Sequence, residues 1–150
     1  MNNLFTTNTP DELSDFSLIT IDGKSCKTMP QLYEALAEKL HFPDYFEHNM
    51  DSLDEVMNDL SWIEDERILV FFKNSSEFLI SERNEKIVKS LFDLLDITCE
   101  DWKFMDEEAE EDSLQVDSKE EEENYFIPKK ELLIGFSKSK RMEDLLAEIN

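Results

Sequence analysis

Glycine occurs only twice and proline four times in 150 residues. So few turn residues exclude a sandwich of many short strands, and the chain reads as helices with a few strands. Cysteine is also scarce: Cys26 and Cys99 lie far apart and form no metal-type spacing. No apolar run is long enough to span a bilayer, and no basic segment precedes an apolar one at the N-terminus. The expectation is a cytoplasmic protein with reduced thiols, and no membrane partner. Basic residues are few, with 15 Lys and Arg against 37 Asp and Glu, for a net charge of -22. Such a charge repels DNA, RNA and anionic lipid, and favours a basic partner with fast, salt-sensitive association. Solubility alone is the plainer account of the total. Also missing are a glycine-rich phosphate loop, HExxH, a nucleophile elbow and EF-hand spacing. No catalytic residue, metal site or cofactor is therefore expected, and the chain does not read as an enzyme.

What is present is enough apolar material for a core: 40% of the residues, with 11 Phe. The length suits one domain over 1–150. Residues Met1 to Asp15 are polar and read as a loose lead-in. Phe16 to Ile21 alternates and is rich in β-branched residues, so it reads as a strand. Asp22-Gly23 supplies a turn. Thr28 is placed to cap a helix to about Leu40, with Leu32, Tyr33, Leu36 and Leu40 on its apolar face. Arg67 to Phe72, RILVFF, is a continuous apolar run and reads as a central strand covered on both sides. Ser75 or Ser76 starts a short helical turn. Ser81 to about Ile97 reads as a longer helix, with Ile87, Leu91, Leu94 and Leu95 in its stripe. Leu132 to Phe136 is the third strand, and Arg141 to Ile149 a final short helix. Strands separated by helices pair in parallel through right-handed crossovers. The expected class is therefore α/β, a small three-stranded parallel sheet packed with helices.

Before the last strand, residues 106–123 carry eleven acids and one lysine, a local charge of -10. The remaining -12 lies elsewhere, so this run is not the sole source of the imbalance. It reads as a solvated acidic loop, or as an acidic arm that widens contact with a basic partner. The domain is accordingly expected to have its core at about 16–105 and 125–150, with an acidic insertion at about 106–124.

The most informative stretch is Phe42 to Leu60, FPDYFEHNMDSLDEVMNDL. Met50, Leu53, Val56, Met57 and Leu60 recur at helical spacing, with Asp51, Asp54, Glu55 and Asp59 on the other side. Asp51 or Ser52 is a possible cap. Asp51, Asp54, Glu55 and Asn58 follow i, i+3, i+4 and i+7, so they share one face. Like charges so close repel, which a basic partner would relieve. Asp51 sits at the favourable end of the helix dipole, whereas Glu55 lies a turn further in and has no such excuse. Tyr45, Phe46, Glu47 and Asn49 precede the helix, and aromatics beside charges are typical of binding hot spots. A plain solvated helix face is the alternative, as is burial of one of the two aromatics. His41 and His48 have no nucleophile or metal partner in the sequence.

YFEHNMDSLDEVMNDL, led by Pro43-Asp44, resembles the signature of the barstar family of ribonuclease inhibitors. Pro43, Tyr45, Phe46, Asn49, Asp51 and Leu53 match its spacing. ITIDGKSCKTMPQLYEALAEKL is similar to the family's first strand and helix, and RILVFF to its second strand. The resemblance spans about Ser17 to Leu95 and resumes at Leu132 to Phe136. It implies a three-stranded parallel sheet, and an inhibitor that lays an acidic helix and the preceding loop over a nuclease cleft. Tyr45, Asn49, Asp51, Glu55 and Asn58 fall where the family contacts its toxin, with Glu55 at the place of the key aspartate. Two positions depart. Glu47 stands where the family has glycine and Asp54 where tryptophan is common, and both add negative charge. The insertion and the last helix have no counterpart in the short members. The expectation is thus a cytoplasmic immunity protein, monomeric when free, that occludes a basic toxic ribonuclease through Tyr45, Phe46, Glu47, Asn49, Asp51, Asp54, Glu55 and Asn58. The alternatives are an acidic interaction module of the same fold with a non-nuclease basic partner, and an acidic metal-binding or hydrolytic protein.

Overall fold

The computed structural model describes residues 3–115 and 130–149. The strands are β1 (Leu4–Thr6), β2 (Ser17–Asp22), β3 (Arg67–Lys73) and β4 (Glu131–Phe136). Among the described residues the α-helices are α1 (Met29–Lys39), α2 (Met50–Met57), α3 (Glu85–Gln115) and α4 (Lys140–Ile149). All four strands are parallel, in the order β1-β4-β3-β2. The α/β class and the parallel sheet agree with the sequence reading, but the sheet has four strands where three were expected.

The extra strand lies in the segment read as a loose lead-in. Leu4–Thr6 is too short to show a period, and it is held by partners far away in sequence. Ile134 N–H donates to Asn3 O at 3.0 Å, and Thr7 N–H to Phe136 O at 2.8 Å. The buried Asn3 amide also donates to Asp96 Oδ1 at 2.9 Å and Glu100 Oε2 at 2.6 Å, tying the strand to α3.

Alternate strand residues Ile68, Val70 and Phe72 of β3, and Leu132, Ile134 and Phe136 of β4, share one core with the buried residues of α1, α2, α3 and α4. Leu69 and Phe71 point to the opposite face and are buried as well, which is why RILVFF shows no polar alternation. On that face Gly135 lies against Phe5, where an added Cβ would sit 3.4 Å from the ring. From β2 through β4 the chain steps in one direction across the sheet. Right-handed crossovers therefore put the helices on a single face. The step from β1 to β2 runs the other way, so residues 7–16 cross the opposite face. Gly23 is needed for a close approach: its Cβ position lies 2.8 Å from Lys73 O, where no side chain fits.

α1 begins where its sequence says, with Thr28 Oγ1 accepting from Gln31 N–H at 3.4 Å. α3 does not. It starts at Glu85 and continues through Gln115, well past the expected end at Ile97. The buried stripe Val88, Leu91, Leu95, Cys99 and Trp102 keeps helical spacing across that point, so packing carries the helix onward. Residues 106–115, expected as the start of a solvated acidic loop or arm, are helical. The rest of that run, 116–123, lies outside the described residues.

Candidate partner-binding site

α2 is a short amphipathic helix between the loop after α1 and the turn before β3. Leu53, Val56 and Met57 are fully buried, while Asp51, Asp54 and Glu55 are exposed. Its start is set by Asn49, not by Asp51 or Ser52 as the sequence suggested. Asn49 Oδ1 accepts from Ser52 N–H at 2.8 Å, and Ser52 Oγ accepts from Glu47 N–H at 3.0 Å. This reciprocal pair satisfies two backbone donors and fixes the loop on the helix. Asn49 is thus structural first, and its side-chain oxygen is already engaged.

Next to the cap it is His48, at φ 58°, that takes the positive φ, and not Glu47. Replacing the glycine of the expected motif by Glu47 therefore forces no left-handed backbone at that position. His48 instead lies over Phe46, with ring centroids 4.8 Å apart. Phe46 is only 6% exposed, so its side chain belongs to the core. It packs edge-on against Phe42 at 4.9 Å and Tyr33 at 6.0 Å, and Phe42 meets Trp62 at 6.2 Å. The loop is aromatic because it must be anchored. Tyr45, by contrast, is 51% exposed and donates its hydroxyl to Asp59 Oδ2 at 3.3 Å. Partial desolvation and the Asp59 and Glu55 carboxylates raise its pKa above the usual phenol value.

The acids on this face are not equivalent. Asp54 accepts from the Asn58 amide at 3.0 Å, and that amide also donates to Asp54 O at 2.8 Å, closing the helix end. Asp59 is held by Tyr45. Asp51 and Glu55 have no hydrogen-bond or ion-pair partner among the described residues. They sit one turn apart on the exposed side. Tyr45, Glu47, Asn49, Asp51, Asp54, Glu55 and Asn58, with Ser52, line one open cleft of about 700 Å³. Seven of the eight residues expected at the interface are brought together, and Phe46 is not.

The sequence reading missed the supports. Ser52 secures the loop, and Trp102 Nε1 donates to Met57 O at 3.0 Å, pinning the C-terminal end of α2 to α3. Trp62 Nε1 donates to Leu40 O at 2.8 Å. The buried Lys130, 2% exposed, donates Nζ to Ile63 O at 2.6 Å and Asp65 O at 2.8 Å, holding the turn that leads from α2 to β3. The apolar spacing from Leu95 to Trp102 was a usable signal for the second anchor, whereas nothing local marks Lys130. Among the described residues, no group of three His, Cys, Asp or Glu is placed to hold a metal ion.

A family model described as Barstar (barnase inhibitor) matches residues 16–119. The match takes in β2, α1, α2 and β3, and extends past the expected limit at Leu95 along α3. β1, β4 and α4 lie outside it. No curated protein matches the chain.

Proposed function

The chain belongs to the barstar (barnase inhibitor) family, and on that premise we propose that it is an immunity protein whose acidic α2 face occludes the active site of a basic toxic ribonuclease. One observation carries this reading. The cleft over α2 gathers Tyr45, Asp51, Asp54 and Glu55, and two of its carboxylates, Asp51 and Glu55, are exposed and without a partner among the described residues. A ribonuclease cleft holds cations for a phosphodiester, and two carboxylates one helical turn apart offer them a substitute of the same sign. No chemistry is required of the inhibitor, and no cofactor. The thiols suit an intracellular role, since Cys26 and Cys99 are both free and buried.

The test is inhibition of a basic ribonuclease, with barnase as the first probe and any nuclease encoded beside this gene as the second. Inhibition should be stoichiometric. Asp51→Lys and Glu55→Lys should abolish it while leaving the circular dichroism spectrum unchanged. Full affinity in both variants would show that this face is not the one used. The acidic module is kept as a second reading because the densest charge, -10 over residues 106–123, lies away from α2 in sequence. Deleting that run would remove partner binding in the module and spare it in the inhibitor.

A further inference from the structure

A crevice of about 400 Å³ lies at the carboxyl ends of β1, β3 and β4, and it shares no residue with the cleft over α2. The chain leaves β1 across one face of the sheet and leaves β4 for α4 on the other. β1 and β4 are neighbours, so their outgoing segments part and leave a gap between them. Open parallel sheets bind ligands at such a switch point. The lining departs from the rest of the surface. Acids are 37 of the 150 residues, yet none of the described residues that line this crevice is acidic. Lys73 and Lys138 line it instead, both exposed and neither in an ion pair among the described residues. The Asp22 carboxylate, opposite Lys73 in the sheet register, is taken up by the Asn74 amide at 2.8 Å and the Lys24 N–H at 3.0 Å.

The hydroxyl protons of the crevice can be assigned from what each oxygen must accept. Ser75 N–H donates to Ser137 Oγ at 2.9 Å, and Ser75 Oγ–H to Ser137 O at 2.6 Å. Ser75 Oγ is therefore the acceptor for Ser139 Oγ–H at 2.8 Å, while Ser139 Oγ accepts from Met142 N–H at 3.1 Å. The Ser137 hydroxyl proton is left with no acceptor among the described residues, and so is that of Ser76. Asn8 Oδ1 accepts from Lys138 N–H at 3.1 Å, which leaves its amide donors unused. The crevice thus offers two ammonium groups, two hydroxyl protons and an amide, and these are the donors an oxyanion needs. We propose that it binds a phosphate group, free as the inorganic ion or carried by a small molecule. Lys73 and Lys138 supply the charge, and the neutral donors satisfy the remaining oxygens. A polyanion such as RNA would meet the field of the whole net charge of -22, whereas a small ion responds to charges within a Debye length of about 8 Å. The site is independent of the reading of α2 and stands or falls without it.

Inorganic phosphate is the first probe, titrated into the full chain at constant ionic strength against chloride and followed by amide NMR spectra. The expected result is a saturable shift at the amides of residues 74–76 and 137–139. Lys73→Gln and Lys138→Gln together should weaken binding at least about tenfold, and either alone should give part of that loss. Both lysines are exposed, so the double variant should keep the dispersed spectrum of the folded chain. Lys103→Gln is the control. It removes the same charge from α3 beside Glu100 and Asn3, at the amino end of β1, and should change affinity less than about twofold. Phenyl phosphate is the second probe. Tighter binding than the inorganic ion assigns the site to a phosphate ester whose carrier lies along Pro10 and Phe71, and equal affinity assigns it to free phosphate. Shifts that do not saturate would overturn the proposal, as would full affinity in the double variant. A loss in Lys103→Gln as large as that in either crevice variant would also overturn it, because the attraction would then be diffuse.

Discussion

Glu55→Gln removes one charge from α2 while keeping the length of the side chain. Glu55 is exposed, and Asp51 lies one turn before it on the same face of α2. Each like-charged pair at that spacing costs about 0.2–0.5 kcal/mol. Glutamine and glutamate have nearly equal helix propensity, so no opposing backbone effect enters. The free protein should therefore gain roughly 0.2–0.5 kcal/mol, which for a chain of this length raises Tm by about 0.5–2 °C. Binding should move the other way. A carboxylate about 4 Å from a cation, at an effective dielectric of about 20, interacts by about 4 kcal/mol before desolvation is subtracted. A rise in Kd of about two to three orders of magnitude is expected against a nuclease that uses this face. Thermal melting and an inhibition titration on one preparation read both effects. In about 1 M salt, where the Debye length is about 3 Å, the Tm gain should shrink. A Tm that falls on substitution would mean that Glu55 has a stabilising role in the free protein, and the assignment of an uncommitted acid would be wrong.

Asn49→Ala removes the α2 cap and should cost about 1 kcal/mol, seen as a lower urea midpoint at unchanged m-value. Trp102→Phe leaves Met57 O without its donor and should destabilise by about 1–3 kcal/mol, whereas an unchanged midpoint would show that the anchor is dispensable. Burial pushes the Cys26 and Cys99 thiols up to about 12, so neither should react with Ellman's reagent at pH 8 until denaturant is added, when both should. Hydrogen bonds, from the Asn74 amide first at Asp22 and from the Asn3 amide first at Glu100, hold both carboxyl pKa values below their ordinary range. Their folded pKa values are depressed, so the stability they contribute is present above the unfolded values and is lost as pH falls through the folded ones. Asn3→Ala should accordingly lose less stability on acidification than the parent, as measured by urea midpoints from pH 6 to pH 3.

Legibility in the sequence followed the range of the interaction that decides each element. β2, β3 and α1 were readable because alternation, a continuous apolar run and the Thr28 cap are local signals. β1 was not, since three residues carry no period and its hydrogen bonds are to β4, about 130 residues away. The end of α3 was misplaced because the acidic composition after Ile97 outweighed a stripe that in fact continues through Cys99 and Trp102. At the site the charged face was legible from spacing alone. Which of Tyr45 and Phe46 is buried was not legible, because an aromatic beside acids looks the same in sequence whether it covers a partner or the core. The Asn49 cap was overlooked for the same reason, since asparagine suits both a helix start and an interface.

The two readings of Asn49 and of the loop need not compete. The exposed side of α2 carries Asp51, Asp54 and Glu55 within two turns, an arrangement that resists its own formation. An eight-residue helix cannot hold such a face by itself. Here the Asn49 cap fixes one end, Trp102 pins the other, and Leu53, Val56 and Met57 are sunk in the core. Phe46 and Lys130 secure the chain on either side. The repulsion is thereby carried by the core and not relieved by rearrangement, so a basic partner would meet the carboxylates already in position and lose little ordering entropy on binding. The same support explains how Glu47 and Asp54 can add charge where a glycine and a tryptophan were expected. Glu47 sits at ordinary backbone angles, and Asp54 is tied to Asn58 at the helix end. Both departures change what the face can attract without changing what holds it in place.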